Sequence, residues 1–379
     1  MRRGFTIPNV DPFLLWLVGV VTAASLLPAR GAFASVFEVL ADLAIALLFF
    51  LQGAKLSRQA IMQGLGKLKL HLLALASTYV LFPLTGLAID PALKGIMDPA
   101  LVTGVLFLTL LPSTVQSSVA FTAIARGNVA AAVCGASISN FLGIFITPLL
   151  VGLFIASSKT GQGFDWGAVQ SITLQLLVPF LAGHFLRPLI GSFVDKHKKM
   201  LQPVDRGSIL MVVYSAFSAA VVDGIWNSLG IADLLLLLVV SAVILAIVMV
   251  VNVVVARIAG LPREDFIVLL FCGSKKSLAS GVPMAGALFA PAQVGMVVIP
   301  LMIFHQLQLF VCAWLAGRFA KQGEVLDAPK GDTIPHGADE IAAAAKARGI
   351  AIPAECEAGV ESNLALLSRH AATLRGERP

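Results

Sequence analysis

The chain has 379 residues, of which 58% are hydrophobic and only 13% are charged, and its mean hydropathy is +0.90. Soluble domains carry about 25% charged residues, so this composition excludes an ordinary soluble protein and predicts an integral membrane protein. The net charge of +6 does not indicate a nucleic-acid partner. Its excess of Lys and Arg falls within residues 1–321, which hold 21 of them against 12 acidic residues, as membrane topology requires.

Ten apolar segments follow in chain order, each close to the roughly 20 residues with which a helix crosses a bilayer. The first is interpreted as a retained helix, since the start of the chain lacks the pattern of a cleaved secretory signal. The sequence therefore predicts an all-α integral membrane protein with ten transmembrane helices. The segments lie at about 11–29, 34–54, 68–89, 100–125, 129–155, 167–188, 205–226, 232–257, 265–289 and 292–318.

The loop charges predict the orientation of these helices. With the N-terminus in the cytoplasm, sixteen Lys and Arg residues fall on the cytoplasmic side, and three (Arg30, Lys94 and Lys159) fall outside. Basic residues in short loops resist translocation, so this bias fixes the orientation. We expect a multi-pass protein of the cytoplasmic (inner) membrane, with both termini cytoplasmic and a polar cytoplasmic tail at 322–379.

The two halves of the membrane domain, about 11–155 and 167–318, have the same plan. In each half the fourth segment is interrupted by polar and helix-breaking residues, as LPSTVQSSVAF (Leu111–Phe121) and as GSKKSLASGVP (Gly273–Pro283). Five helices is an odd number, so the halves must have opposite orientations in the membrane. Interrupted helices at matching places in inverted repeats indicate the binding site of a transporter.

In the fourth segment, Pro112 removes a helix hydrogen bond and frees the backbone around it. Hydroxyl, amide and freed carbonyl oxygens are what a hard cation prefers, although the same groups also join neighbouring helices. The candidate substrate- or ion-binding residues of the first half are Thr78, Ser113, Thr114, Gln116, Ser117, Ser118, Ser137 and Asn140.

The ninth segment holds two adjacent lysines, Lys275 and Lys276, about ten residues from its cytoplasmic end, which is near the bilayer midplane. A charged lysine facing lipid there costs at least about 2.5 kcal/mol. The lysines must therefore face protein or water, or one must be neutral; the alternative is a cytoplasmic loop between two short hairpin helices. We expect Lys275 rather than Lys276 to face a cavity. The candidates of the second half are Ser274, Lys275, Lys276, Ser277 and Ser280, and Glu38 and Asp42 either pair with a cavity lysine or lie near the outer interface.

Other classes of function lack support. No metalloprotease, serine-hydrolase, Walker or dinucleotide fingerprint is present, so an enzyme is not expected, nor a cofactor beyond a coupling ion. The four cysteines lack the spacing of a zinc site or a disulfide framework. In the tenth segment, His305, Gln306 and Gln308 are expected to make buried hydrogen bonds rather than to bind a metal. The tail predicts two short helices, near 338–349 and 354–375.

Two stretches of the sequence resemble a known family. LPSTVQSSVAFTAIARGNVAAAV, followed by ISNFLGIFITPLL, is similar to the fourth and fifth helices of the bile acid:sodium symporter family. GSKKSLASGVPM resembles the member-seven-like branch of solute carrier family ten. The resemblance covers about 12–319. It implies a core domain (segments 3–5 and 8–10), a panel domain (segments 1, 2, 6 and 7), a crossing of the two broken helices in the core, and a cavity between the domains.

The sodium ligands of that family do not carry over well. The resemblance places Ser274 where a glutamate bridges two sodium sites, and Leu278 and Ala279 where a Gln-Asn pair would lie. Any weak Na⁺ site left would involve Ser117, Ser118 and Ser274. The remaining correspondences are Ala132 and Ala136 at hydroxyl ligands of the fifth helix, and Thr78 at a glutamine of the third.

Three roles remain open for the lysine pair. An ammonium could occupy a vacated cation site, bind and release a proton during the transport cycle, or attract an anionic substrate.

We therefore predict a secondary active transporter that moves a small, anionic organic solute by alternating access within the lipid bilayer. The resemblance implies coupling to Na⁺, although the lysine pair and the missing sodium ligands favour H⁺ coupling or Na⁺-independent transport. The alternatives are a cation/proton exchanger of related fold, or a membrane regulator of cation entry that acts through its tail. The sequence leaves the identity of the substrate and the oligomeric state open.

Overall fold

The structure is a computed structural model, and it describes residues 12–55, 65–156, 166–327, 334–347 and 349–375. Most of these residues are helical, and no strand lies among them. The chain divides into two units, Met1–Ala320 and Lys321–Pro379.

The first unit begins with seven helices. A π-helical turn, Ser77–Leu81, joins the third and fourth of them into one apolar segment. A second such turn, Gly152–Ala156, extends the seventh. The helices are α1 (Pro12–Leu26), α2 (Ala32–Lys55), α3 (Leu68–Ala76), α4 (Phe82–Leu93), α5 (Pro99–Leu110), α6 (Gln116–Ile124) and α7 (Val129–Val151).

The described residues from 166 onward form nine further α-helices. The last two match the helices expected in the tail, and Gly349, with φ of +68°, follows the first of the two, as predicted. The helices are α8 (Trp166–Lys196), α9 (Lys198–Val222), α10 (Ile225–Ser228), α11 (Ile231–Ile258), α12 (Arg263–Gly273), α13 (Leu278–Leu288), α14 (Pro291–Asp327), α15 (Gly337–Ala347) and α16 (Glu357–Arg375).

Eight helical segments of the described residues are long and apolar enough to cross a membrane. Two shorter apolar helices, Leu15–Leu26 and Pro99–Leu110, complete the set. The latter has 12 residues and rises only about 18 Å, less than the roughly 30 Å of a hydrocarbon core. The multi-pass membrane character of the chain is thus confirmed, and the finer number of ten spans stays a prediction.

The helix breaks have local causes in the sequence. Asp98 caps α5 by accepting a hydrogen bond from the amide of Ala100 at 2.7 Å. Leu111 leaves the helix with extended backbone, because a proline follows it and disfavours helical dihedrals. The hydroxyl of Ser277 accepts the amide of Ser280 at 3.1 Å and starts α13. The sequence thus supplies a stop signal for α5 and a start signal for α13.

Two sets of helices pack closely. In the first helix group (α1, α2, α8 and α9), α2 packs along α8 and α9, and α1 packs along α9. In the second helix group (α3, α6, α7, α11 and α12), α12 contacts all the others. The apolar window of Arg263–Leu288 is 89% buried, compared with 22–50% in the other candidate spans. The segment with the two lysines is therefore the most enclosed span of the described residues.

One end of the second helix group is held by a polar cluster. The buried carboxylate of Asp265 pairs with Lys67 at 2.7 Å and accepts the side-chain amide of Asn128 at 3.1 Å. Arg126, in the turn before α7, has a positive φ of 58°. The orientation of this end in a membrane stays a prediction. Four of the loop cations on which that prediction depends (Arg2, Arg3, Arg58 and Lys159) lie outside the described residues.

Candidate functional site

The two helix breaks lie against each other at the centre of the first unit. The amide of Ser277 donates to the carbonyl of Pro112 at 2.9 Å, which joins the break of α12–α13 to that of α5–α6. Two helix C-termini and two helix N-termini therefore meet at this point, which we call the crossover. Apart from Ala279, the residues of Gly273–Pro283 are buried, which argues against an exposed loop there, and the depth of this break in a membrane stays a prediction.

Hydroxyl groups satisfy the last carbonyls of α12, which have no partner within their own helix. The donors come from α6, from the facing break and from the π-helical turn after α3. The hydrogen bonds run from Ser118 to Phe271 at 3.1 Å, from Ser113 to Cys272 at 2.6 Å and from Ser77 to Gly273 at 2.8 Å. Two polar residues that interrupt the fourth segment, Ser113 and Ser118, thus hydrogen-bond the C-terminal carbonyls of α12.

The side-chain ammonium of Lys276 lies at the C-terminal end of α5. Its Nζ donates to the carbonyls of Thr109 at 2.8 Å, Leu111 at 2.6 Å and Thr78 at 2.8 Å. The ring of Phe82 lies 4.1 Å away and covers the remaining side. The side chain is completely buried. All three donors of the ammonium are used, and the positive charge lies at the negative end of a helix dipole.

A glutamine holds the backbone of the same lysine. Gln308 on α14 accepts the amide of Lys276 at 2.9 Å and donates to its carbonyl at 2.9 Å. The ring of His305 lies 2.8 Å from the Gln308 amide nitrogen. The expectation of a buried hydrogen bond is thus confirmed for Gln308. His305, which is half-buried and lines the cavity described below, bonds to it, and the hydrogen bond expected for Gln306 stays a prediction.

Lys275 has a different environment. It is also completely buried, but its Nζ has no hydrogen-bond partner among the described residues. The nitrogen lies 4.0 Å from the centre of the Phe121 ring and 5.5 Å from that of Phe271. Neighbouring lysines thus present one fully bonded amine and one without a hydrogen bond.

A cavity of about 360 Å³ opens beside the crossover, between the first helix group and the two breaks. Phe13, Phe180 and Ile209 supply apolar walls from the first group, and Phe141 faces them from α7. Both half-helices α6 and α13 present their first turns to it. Of the predicted binding residues, Thr114, Gln116, Ser117, Ser137, Asn140, Ser277 and Ser280 line this cavity.

The remaining predicted residues do not line it. The expectation that Lys275 faces the cavity is not met, because the break buries both lysines behind the crossover. Glu38 and Asp42 are exposed, and neither forms an ion pair with these lysines. The predicted residues away from the cavity wall are Thr78, Ser113, Ser118, Ser274, Lys275 and Lys276.

The three hydroxyls considered for a weak Na⁺ site have separate partners. Ser117 lies 2.5 Å from the hydroxyl of Thr114 and Ser118 bonds the carbonyl of Phe271. Ser274 accepts the side-chain amide of Asn252 at 3.0 Å. The role of this set as a cation site stays a prediction.

The electrostatics of the cavity favour an anion. The first-turn amides of α6 and α13 have no intrahelical acceptors, and the positive ends of both helix dipoles face the same space. At the cavity wall Lys55 pairs with Asp205, and Arg206 adds a second cation, stacked 5.4 Å from the ring of Phe13. The cavity wall thus carries two cationic side chains, two helix N-termini and one carboxylate, that of Asp205.

Several residues of this site did not stand out in the sequence. Lys55, Asp205 and Arg206 were counted only as loop charges, although they line the cavity. Asn252 is a lone amide within an uninterrupted apolar helix, and polar residues at that depth are a signal of function or of interhelical bonding. Depth in the membrane would have singled it out.

Comparison with known proteins supports the resemblance described above. The chain is 55% identical over 313 residues to "Uncharacterized protein PA2026" of Pseudomonas aeruginosa, covering 82% of this chain and 93% of that protein. It is 54% identical over 319 residues to "Putative symporter YfeH" of Escherichia coli, covering 84% and 96%. It is 26% identical over 324 residues to "Sodium/bile acid cotransporter 7" of Danio rerio, covering 81% and 95%.

The relatives named for an activity are transporters or symporters rather than enzymes, which agrees with a small-molecule substrate and a membrane environment. The profile of one transporter family matches residues 11–321, which is the greater part of the chain. The chain belongs to the SBF-like CPA transporter family.

Proposed function

We propose that the chain is a secondary transporter that moves a small organic anion across the cytoplasmic membrane by alternating access, without requiring Na⁺. Its architecture in this proposal is ten spans in two inverted repeats, about 11–155 and 167–318. The first helix group acts as the panel, and the second helix group together with α4, α5, α13 and α14 acts as the core. Both termini and the tail are cytoplasmic. The bile acid in the name of the Danio rerio relative is not carried over to this chain.

An anionic solute is supported by the cavity. A carboxylate placed at the first turns of α6 and α13 would accept the amides that have no cap there, those of α6 and those of Leu278 and Ala279 in α13. Arg206 and Lys55 supply positive charge from the opposite wall. The aromatic side chains of Phe13, Phe141 and Phe180 leave an apolar region for the rest of the solute. This combination suits an amphipathic organic anion better than an inorganic cation.

Independence from Na⁺ is supported by one observation, the ammonium of Lys276 among three backbone carbonyls. Carbonyl oxygens at a broken helix are the ligands that coordinate Na⁺ in transporters of this kind of construction. Here a covalently attached cation already bonds those oxygens at 2.6–2.8 Å. A bound sodium would have to displace it and leave a buried charge without partners, which is strongly unfavourable.

The test is the thermal unfolding temperature of the purified full-length chain in detergent, in NaCl, KCl and choline chloride of equal ionic strength. A ligand that binds only the folded state stabilises it by about 2.7 kcal/mol at a hundredfold excess over its Kd. We expect no rise that is specific to Na⁺ and saturable. Lys276→Ala is expected to unfold at a much lower temperature, whereas Lys94→Ala, at an exposed lysine, is not. A saturable, Na⁺-specific rise in the wild-type chain would refute Na⁺ independence.

A further inference from the structure

Lys275 is a buried amine that the proposed transport site does not use. Its Nζ has no hydrogen-bond partner in the part of the chain that the structure describes, and the residue does not line the cavity. Aromatic rings of α6 and α12 pack against this nitrogen. The ionisable side chains that face it are the thiols of Cys272 on α12 and Cys312 on α14, together with its neighbour Lys276, whose ammonium is bonded elsewhere. Both cysteines are free and buried.

A proton on this nitrogen would be poorly accommodated here. A charged lysine has three N–H donors and needs acceptors for them, as Lys276 shows one residue further on. An aromatic face recovers only part of what an ion loses on leaving water. A neutral amine fits the same space, because it loses far less on burial and its aliphatic stem is already packed among apolar groups.

We propose that Lys275 is the proton-binding site of this transporter, neutral in the conformation described here and protonated when the core opens its nitrogen to water. The proton is taken from a hydronium ion, so that the amine becomes an ammonium and one water molecule is left. Before the core returns to the present conformation, the ammonium gives that proton to a water molecule, which becomes a hydronium ion. This inference rests on the proposed alternating access, since only a change of conformation can bring water to the buried nitrogen.

The consequence that can be measured is a proton taken up on unfolding. A lysine in an unfolded chain stays protonated up to about pH 10. If Lys275 is neutral in the folded chain, the unfolded state binds one proton more, so stability rises with pH from the pKa of the buried amine up to about pH 10. One such group changes the folding equilibrium constant tenfold per pH unit.

The experiment measures the unfolding equilibrium of the full chain in detergent without Na⁺, across that pH range, for the wild type, Lys275→Met and Lys276→Met. The difference between wild type and Lys275→Met is expected to equal the tenfold change per pH unit. Lys276→Met is expected to be less stable but to keep the wild-type dependence on pH, because Lys276 is protonated in both states. Lys275→Leu serves if the methionine variant does not fold.

Equal dependence on pH in the wild type and both Lys275 variants would overturn the assignment. So would loss of the dependence in Lys276→Met alone, which would place the neutral amine at that residue. Neither outcome bears on the sodium test, which compares NaCl, KCl and choline chloride on the wild-type chain at one pH. A sodium-specific rise with an intact Lys275 effect would instead refute Na⁺ independence and leave the proton site standing.

Discussion

At the scale of single residues, charge burial governs this site. An ion in the middle of a membrane protein is tolerated where it faces protein and is paired or bonded to carbonyls. Lys276 meets both conditions, with three carbonyl bonds from two helices and a backbone held by Gln308. The position of the Lys276 ammonium therefore depends on Gln308, whose side chain lies 32 positions away in the sequence.

Gln308→Leu is expected to lower the free energy of unfolding by about 2–4 kcal/mol. The substitution leaves the buried amide of Lys276 without a partner and its carbonyl with only the contact to His305 at 3.4 Å, and an unpaired buried group costs about 1–3 kcal/mol. Gln306→Leu, two residues earlier and only half-buried, is the control and should change stability by less than about 0.5 kcal/mol. Chemical or thermal unfolding in detergent measures both, and equal effects of the two variants would contradict the role of Gln308.

The sequence predicts that the lysines are enclosed but not which one is bonded. Their depth in an apolar segment is enough for the first conclusion, because lipid cannot accommodate them. The second depends on the backbone at the break, where Ser274 and Ser277 are not helical, so helical spacing gives no direction for the side chains between them. The partners of Lys276 also come from residues 165–198 positions away.

At the scale of helices, the local signals of the sequence are strong. Pro112 and the hydroxyl of Ser277 stop one half-helix and start another. Apolar periodicity places most helix bounds within a few residues, and the long extensions of α8, α9 and α14 beyond the predicted spans are the main differences. Spans are predicted from hydropathy, but a helix continues past the membrane as long as its residues favour it, so hydropathy cannot locate those ends.

Close packing of α2 on α8 depends on two glycines. A Cβ at Gly53 would overlap the carbonyl oxygen of Phe180, and a Cβ at Gly183 would overlap that of Phe50. Gly53→Ala and Gly183→Ala are each expected to destabilise the first helix group by about 1–3 kcal/mol, since the helices must separate. Gly207→Ala, in α9 with nothing within 4 Å, is the control and should be neutral or slightly stabilising. The unfolding temperatures of the three variants in detergent distinguish these effects, and a uniform response would rule out a packing constraint.

At the scale of the whole first unit, the cavity is formed by residues far apart in the chain. Its wall combines Phe13 near the N-terminus with Leu309 on α14. The polar residues of the broken segments were found from the sequence because they stand out against apolar surroundings. The charged residues of the opposite wall were not found, since Lys55 ends α2, and Asp205 and Arg206 lie at the start of a predicted span, where charged residues are ordinary. Only the packing of the helices shows that they face a common space.

Arg206→Gln is expected to weaken the binding of organic carboxylates by roughly 10- to 100-fold, because it removes a charge-assisted hydrogen bond worth about 1.5–3 kcal/mol. The rise in unfolding temperature on adding lactate, succinate or benzoate measures it in the full-length chain. Arg30→Gln, at an exposed arginine away from the cavity, is the control. Stabilisation of the wild type by amines or neutral sugars, with none by carboxylates, would contradict an anionic solute.

The tethered ammonium of Lys276 has an electrical consequence. In the proposed cycle it travels with the core, so a core that carries a monovalent anion is neutral while an empty core keeps one positive charge. One elementary charge crossing a potential of 100 mV changes free energy by about 2.3 kcal/mol. The return of the empty carrier, rather than the loaded step, would then respond to membrane voltage. A sodium gradient would supply no driving force, because this cation never leaves the protein.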